Sequence, residues 1–168
     1  FIDQYGADCF RTYLMFLGPY TQGGDFQDKG IMGVRRFLDR IYRLVLNDSF
    51  DGDVADDSVF EAVTHKTIRD VTDHFENLEY NTAIAAMMEY LNELYRRDTI
   101  PRAAAEILVR LVAPFAPHVA EEIWEMLGHD VSVFKSGWPE WDDTKIAFDT
   151  FELVAQVNGK LRATVDAP

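Results

Sequence analysis

Cysteine is almost absent from this 168-residue sequence, which contains one, Cys9. A single cysteine cannot form an internal disulfide. This excludes the class of small secreted domains held by disulfides and fits a reducing compartment, so we expect a cytoplasmic protein. The lack of cysteine pairs also argues against a structural zinc site. We interpret Cys9 as a small buried apolar residue near the start of a helix.

Long apolar runs and catalytic motifs are also absent. No stretch approaches the roughly 20 apolar residues that a membrane-spanning helix needs, so we expect no membrane partner. The sequence contains no glycine-rich phosphate loop, no His-Glu-x-x-His pair and no Glu-x-x-His repeat of a di-iron bundle. Its four histidines have no partner at metal-ligand spacing and are interpreted as surface or packing residues. The sequence therefore predicts a module that carries out no chemistry and holds no metal or cofactor.

Positive charge is scarce, because 16 Lys and Arg face 29 Asp and Glu and the net charge is −13. This balance disfavours general nucleic-acid affinity, since phosphate binding depends on cations that displace counterions, and we expect no DNA partner. Acidic residues are dense over 47–61, whereas arginines cluster elsewhere. A nucleic-acid site must therefore be a local patch on a repelling surface. The alternative is an acidic helical module that binds other proteins.

Apolar residues, in contrast, make up 48% of the chain and recur mostly at helical spacing. One helix, for example, places Leu91, Leu94 and Tyr95 on its core face. The stretch Val154–Val165 differs, because two strand-like runs flank an Asn-Gly pair, which is a strong β-hairpin signal. We predict an all-α fold, a bundle of five to six helices, with a C-terminal β-hairpin. The predicted helices span residues 3–17, 28–46, 58–77, 81–97, 101–112 and 118–127.

Several stretches of the sequence match a known family in combination. They are YGADCFRTYLMFLGP (5–19), GIMGVRRFLDRIYRLV (30–45), YNTAIAAMMEYLNEL (80–94), LVAPFAPHVAEEIWEMLG (111–128) and VAQVNGKLRATV (154–165). Together they resemble the bacterial leucyl-tRNA synthetases, which are class I aminoacyl-tRNA synthetases. The fourth stretch is shared by the leucine, valine, isoleucine and methionine enzymes, whereas the last is typical of the leucine enzymes. The same domain of a valyl, isoleucyl or methionyl enzyme therefore remains an alternative.

The resemblance implies a domain organisation and a parent activity. Residues 1–20 would be a connector helix after a catalytic domain, 21–149 the anticodon-binding helical bundle, and 150–168 a β-hairpin leading to a further C-terminal domain. The parent would be a leucine–tRNA ligase that uses ATP with Mg²⁺, with its HIGH and KMSKS motifs outside this chain. The implied partners are tRNA(Leu) and the catalytic domain of the parent chain.

The first candidate tRNA contacts are three arginines on the predicted helix 28–46. Arg36, Arg40 and Arg43 recur at i, i+4 and i+7 and lie away from the apolar stripe of that helix. The planar guanidinium group suits phosphate. The competing interpretation is a solvated helix face whose arginines pair with nearby acids such as Asp39.

The second candidates are Lys160 and Arg162 on the predicted hairpin. They alternate with Leu161 and would share one face of a strand. The competing interpretation is that these charges protect an edge strand from pairing with another chain. A third basic group, around one helix junction, would contain Arg96, Arg97, Arg102 and Arg110, which could also serve only to offset the end of a helix dipole.

Overall fold

The computed structural model describes residues 2–19, 24, 26–27, 30–46 and 50–146, and the backbone of two strands over 151–157 and 160–167. In this part of the chain, six helices are at least ten residues long, which confirms the predicted all-α bundle. In chain order the helices are α1 (Ile2–Tyr5), α2 (Ala7–Phe16), α3 (Ile31–Leu46), α4 (Ser58–Glu76), α5 (Tyr80–Tyr95), α6 (Arg102–Val112), α7 (Pro117–Met126) and α8 (Asp143–Ile146).

The longer helices bury their apolar faces in one shared core. Helix α3 shows the pattern most clearly, because its buried residues recur every three or four positions and leave the opposite face to solvent. These buried residues are Ile31, Val34, Phe37, Leu38, Ile41, Leu44 and Val45. Leu91 and Leu94 of α5 are fully buried in the same core. The core therefore fixes which face of each helix can meet a partner.

The helix ends follow the local signals in the sequence. The carboxylate of Asp57 caps α4 by accepting hydrogen bonds from the backbone N–H of Val59 at 3.0 Å and of Phe60 at 3.1 Å. Gly128 follows α7 with a φ of 85°, a conformation that glycine adopts without strain. The predicted helix 3–17 is interrupted at Gly6, where φ is 84°, so that α1 and α2 are separate helices.

Helix α2 is tied to the connection between α6 and α7. Asp8, which is only 5% exposed, accepts a hydrogen bond from the backbone N–H of Val119 at 2.7 Å and pairs with His118 at 2.8 Å. Thr12 donates to the carbonyl oxygen of Phe115 at 3.2 Å. Because α7 has no side-chain cap of its own, Asp8 satisfies its first turn from a distant part of the sequence.

The segment 137–146 runs along the outer face of α4, in the direction opposite to that helix. Side chains and backbone of the segment bind α4 at three levels, through the pairs Trp138–Thr72 at 2.8 Å, Asp142–His65 at 3.1 Å and Lys145–Glu61 at 2.7 Å. Trp138 also lies against Phe75, with ring centroids 6.0 Å apart. The stretch between the bundle and the strands is thus fixed to α4 up to the end of α8.

Two strands follow the bundle. The backbones of β1 (Phe151–Val157) and β2 (Lys160–Ala167) pair antiparallel, with a register shift that leaves Arg162 outside the ladder of paired residues. Such a shift interrupts the two-residue period from which the common face of Lys160 and Arg162 was predicted. The predicted turn, Asn158-Gly159, lies outside the described residues, and the β-hairpin stays a prediction.

Candidate nucleic-acid interface

Three arginines occupy one face of α3, and we call Arg36, Arg40 and Arg43 the arginine stripe. They lie opposite the buried face of the helix, as the sequence predicted. Arg36 and Arg43 are exposed and Arg40 is half-buried. Two exposed apolar residues, Met32 and Leu46, lie at the two ends of the same face. The stripe is therefore a cationic strip that spans about half of this 16-residue helix.

No carboxylate of the described residues forms an ion pair with the arginine stripe. The nearest acid in sequence, Asp39, is bound instead by the Nε of Arg35 at 2.9 Å. Asp39 therefore pairs with an arginine outside the stripe, while a solvated helix face stays the alternative interpretation of the stripe. With no carboxylate partner among the described residues, these three guanidinium groups form a local positive strip on a chain whose net charge is −13.

Helix α5 holds one of these arginines in place. The Nη1 of Arg40 donates to the Oδ1 of Asn92 at 2.9 Å, and its Cζ lies 4.7 Å from the centre of the Tyr95 ring. The hydroxyl of Tyr95 also donates to the carbonyl oxygen of Arg40 at 2.8 Å. Arg36, in contrast, makes a 3.3 Å contact from its Nε to the carbonyl oxygen of Met32 on its own helix.

The role of Tyr95 differs from the sequence prediction. Its spacing placed it on the core face of α5, but its side chain is 39% exposed and lies beside Arg40 at the last residue of the helix. Asn92, which precedes it by one helical turn, was not singled out. Asn92 and Tyr95 lie three residues apart and share a face of α5. A polar residue one turn before an aromatic residue at the helix end was therefore the sequence signal that could have indicated this contact with Arg40.

The arginines around the start of α6 behave differently, and we call Arg96, Arg97 and Arg102 the junction group. Each of them is paired with a carboxylate. The pairs are Arg96–Glu93, Arg97–Asp57 at 3.1 Å and Arg102–Glu106 at 2.9 Å. The predicted third basic group is thus largely neutralised and contributes to the fold.

Arg97 is the most integrated member of the junction group. Its guanidinium lies 4.0 Å from the centre of the Phe60 ring while it bonds Asp57. The pKa of Asp57 lies below its usual 3.8, mainly because its carboxylate accepts a hydrogen bond from the backbone N–H of Phe60. The hydrogen bond from the Arg97 guanidinium is the second cause. Arg97 therefore connects the end of α5 to the capped start of α4.

The fourth predicted member, Arg110, does not join the junction group. It is half-buried on α6, and burial lowers the pKa of its guanidinium while the charge of Glu106 opposes this. In the described ranges it has no ion-pair partner, and the same holds for Arg11 and Lys135. These three cations lie on different elements and do not form a row.

The groups that could carry chemistry are occupied by structural contacts. A cleft of about 440 Å³ between α2, α3 and α7 is lined by Asp8, Cys9 and His118, among others. Both oxygens of Asp8 are hydrogen-bonded, and burial raises the pKa of the Cys9 thiol, which is 2% exposed. The cleft thus presents no activated nucleophile among the residues that the structure describes.

The four histidines also form hydrogen bonds within the fold. Three of them pair with carboxylates, and His65 accepts a hydrogen bond from the backbone of Asp142. The three pairs are His74–Glu79, His118–Asp8 and His129–Glu106. Within the described part of the chain, no group of three or more His, Cys, Asp or Glu could hold a metal ion. None of the helices described is long and apolar enough to cross a membrane.

The candidate cations of the strand region are placed only by their backbone. Lys160 begins β2 and Arg162 lies two residues further along it. Their side chains lie outside the described residues, so their role as tRNA contacts stays a prediction.

Comparison with known proteins gives a consistent set of relatives. The family model for the anticodon-binding domain of tRNA ligase matches residues 57–168. A leucine–tRNA ligase of Herpetosiphon aurantiacus is 44% identical over 99% of this chain and 22% of its own length. A chain in the crystal structure of a LeuRS–tRNA–LeuAMS ternary complex from Agrobacterium radiobacter matches with a TM-score of 0.81 and 30% identity, over 99% of this chain and 24% of that chain. The present chain thus spans less than a quarter of the length of these relatives.

Proposed function

Because this chain belongs to the family of anticodon-binding domains of tRNA ligases, we propose that it is the tRNA-docking domain of a leucine–tRNA ligase. In this role it holds tRNA(Leu) so that a catalytic domain elsewhere in the parent chain can attach leucine. The leucine–tRNA ligase relative and the neighbour that was crystallised with tRNA support leucine over valine, isoleucine or methionine as the amino acid.

The observation that carries this proposal is the arginine stripe. A chain with a net charge of −13 repels RNA over most of its surface, so any docking surface must be a local cationic one. The stripe meets this requirement, because Arg36, Arg40 and Arg43 have no carboxylate partner among the described residues. The acidic protein-interaction module, which was the alternative, gives no reason for such a row.

The stripe is suited to hold RNA by its backbone. Arginine donates to phosphate oxygens in a planar, two-pronged geometry, and such contacts fix position and orientation without reading bases. We therefore propose binding that is tolerant of sequence and sensitive to salt. Lys160 and Arg162 would extend the same docking surface if the predicted hairpin forms beside the bundle.

The remaining features of the parent are part of the same proposal. The catalytic domain would precede a connector at residues 1–20, the bundle would span 21–149, and the strands would lead to a further domain. ATP with Mg²⁺ would bind that catalytic domain. We expect the whole enzyme to act in the cytoplasm.

Titration of this chain with a fluorescent tRNA(Leu) transcript tests the proposal. If the three stripe arginines each neutralise one phosphate, the affinity falls by roughly 20- to 40-fold between about 50 and 200 mM salt. A tRNA transcript for another amino acid is expected to bind about as well, since the contacts carry no base code. Absence of binding at the lower salt concentration, or binding that ignores salt, would contradict the proposed function.

A further inference from the structure

Within the arginine stripe, we propose that Arg40 is a preformed two-pronged phosphate ligand, that Tyr95 and Asn92 position it, and that Arg36 and Arg43 act only through their charge. This inference rests on the proposed RNA-docking function. It assigns different roles to three arginines that the sequence presents as equivalent.

The hydrogen bonding of Arg40 leaves its ligand edge free. Its Nη1 is engaged by the Oδ1 of Asn92 at 2.9 Å, whereas no described residue accepts from its Nε or Nη2. The Nε–H and one Nη2–H lie in the guanidinium plane and point in parallel from one edge of the group. This edge is the one that binds two oxygens of a phosphate or carboxylate.

Tyr95 fixes the orientation of that edge. Its ring lies under the guanidinium, with 4.7 Å between the Arg40 Cζ and the ring centre, and its hydroxyl donates to the carbonyl oxygen of Arg40 at 2.8 Å. The Tyr95 ring, which orients the Arg40 side chain, is therefore itself fixed by a hydrogen bond to the Arg40 backbone. A side chain ordered in this way loses less conformational freedom when it binds a ligand.

The other two arginines lack this preparation. The Nε of Arg36 contacts the carbonyl oxygen of Met32 at 3.3 Å, so its corresponding edge is partly used. Arg43 is exposed, and no hydrogen bond joins it to another side chain in the described ranges. An exposed guanidinium without such contacts attracts RNA mainly as a charge, and an ammonium group can supply the same charge.

Substitution of each arginine by lysine separates charge from geometry. We expect Arg40→Lys to weaken the binding of the tRNA(Leu) transcript by about tenfold, nearly as much as Arg40→Ala, because lysine cannot form the two-pronged contact. Arg36→Lys and Arg43→Lys are expected to stay within about twofold of the unchanged chain. Arg96→Lys is the matched control, since Arg96 is an exposed arginine of the neighbouring helix end that is paired with Glu93.

A double-mutant cycle tests the positioning role. Tyr95→Leu and Asn92→Ala should each weaken binding by about three- to fivefold in the unchanged chain and should have little further effect in the Arg40→Lys background. If Tyr95 stacked on a base directly, the loss of affinity from Tyr95→Leu would add to the loss from Arg40→Lys, and the positioning role would be overturned. Thermal unfolding of every variant shows whether a loss of affinity reflects a loss of fold.

The outcomes separate this inference from the proposed function. If lysine replaces arginine equally well at all three positions, Arg40 has no special role, but charge-driven RNA docking stands. If Arg36→Ala, Arg40→Ala and Arg43→Ala combined leave RNA binding unchanged, the docking role of the stripe fails, and the inference fails with it.

Discussion

The arginine stripe on α3 and the junction group around the start of α6 each contain three arginines. In the junction group each guanidinium has a carboxylate partner. In the stripe none has one among the residues described. Pairing with carboxylates, more than the number of arginines, thus separates the proposed docking surface from the group that supports the fold.

The difference arises from spacing and from the demands of the helix ends. Glu93 precedes Arg96 by three residues and Glu106 follows Arg102 by four, the spacings at which side chains meet on a helix. Asp57 is the cap of α4 and lies within reach of Arg97. On α3 the available carboxylate, Asp39, is taken by an arginine outside the stripe.

Removal of charge from each surface in turn shows whether pairing decides which arginines bind tRNA. We expect combined substitution of Arg36, Arg40 and Arg43 by Gln to weaken tRNA binding by about tenfold or more at low salt and to flatten its salt dependence by about two to three units of slope. The control, Arg96→Gln with Arg102→Gln, should stay within about twofold, since these charges are already neutralised. Equal losses for the two variants in a fluorescence titration would show that pairing does not distinguish the surfaces.

Arg97→Met tests whether the junction group serves the fold. We expect the free energy of unfolding to fall by about 1–2 kcal/mol, because the guanidinium–aromatic contact with Phe60 is lost. Urea unfolding measures this change. The folded variant should bind tRNA as the unchanged chain does, and a loss of affinity at full stability would place Arg97 in the docking surface.

Met32→Glu would give the stripe a carboxylate of its own. Position 32 is exposed and lies four residues before Arg36, so a glutamate there can pair with that arginine. We expect tRNA affinity to fall by about two- to threefold and stability to change by no more than about 0.5 kcal/mol. Met32→Gln is the neutral control. If Met32→Gln reduced affinity as much as Met32→Glu, the loss would come from the apolar side chain and not from pairing.

The pH dependence of stability should also distinguish the two surfaces, because carboxylates with lowered pKa values pair with the junction group, whereas no described carboxylate pairs with the stripe. The pKa of Asp57 lies below its usual 3.8, mainly through the Phe60 N–H. Burial acts to raise the pKa of Glu106, but the hydrogen bonds and charges of Arg102 and His129 together hold this pKa below its usual 4.5. A carboxylate with a lowered folded pKa stabilises the protein above its unfolded pKa, and this stabilisation is lost as the pH falls through the folded pKa.

We therefore expect the free energy of unfolding to fall as the pH drops below about 4.5, and to fall less steeply in the variant with both Asp57→Asn and Glu106→Gln. The variant that lacks the three stripe arginines should keep the pH dependence of the unchanged chain, because no described carboxylate pairs with them. Acid unfolding followed by circular dichroism measures both. An altered acid transition in the stripe variant would reveal a carboxylate partner of the stripe.

Helical periodicity predicted the bundle and the common face of Arg36, Arg40 and Arg43, because these properties depend on local spacing. Periodicity could not assign the partner of Asp39, which lies four residues from both Arg35 and Arg43. Only the folded structure shows that Arg35 takes it.

Tertiary contacts account for the residues that the sequence did not reveal. Asn92 and Tyr95 meet Arg40 across more than 50 residues of chain, so no local pattern joins them. Tyr95 was assigned to the core because an aromatic residue at apolar spacing looks the same whether it packs inward or lies under a guanidinium at the edge. The capping of α7 by Asp8 is another contact of this kind.

NMR of the arginine side-chain Nε–H signals of this chain, followed while tRNA(Leu) is added, tests the proposed docking surface residue by residue. We expect the signals of Arg36, Arg40 and Arg43 to shift, with the largest shift at Arg40, and those of Arg96, Arg97 and Arg102 to stay in place. Shifts confined to the junction group, or spread evenly over both groups, would contradict the claim that Arg36, Arg40 and Arg43 form the docking surface.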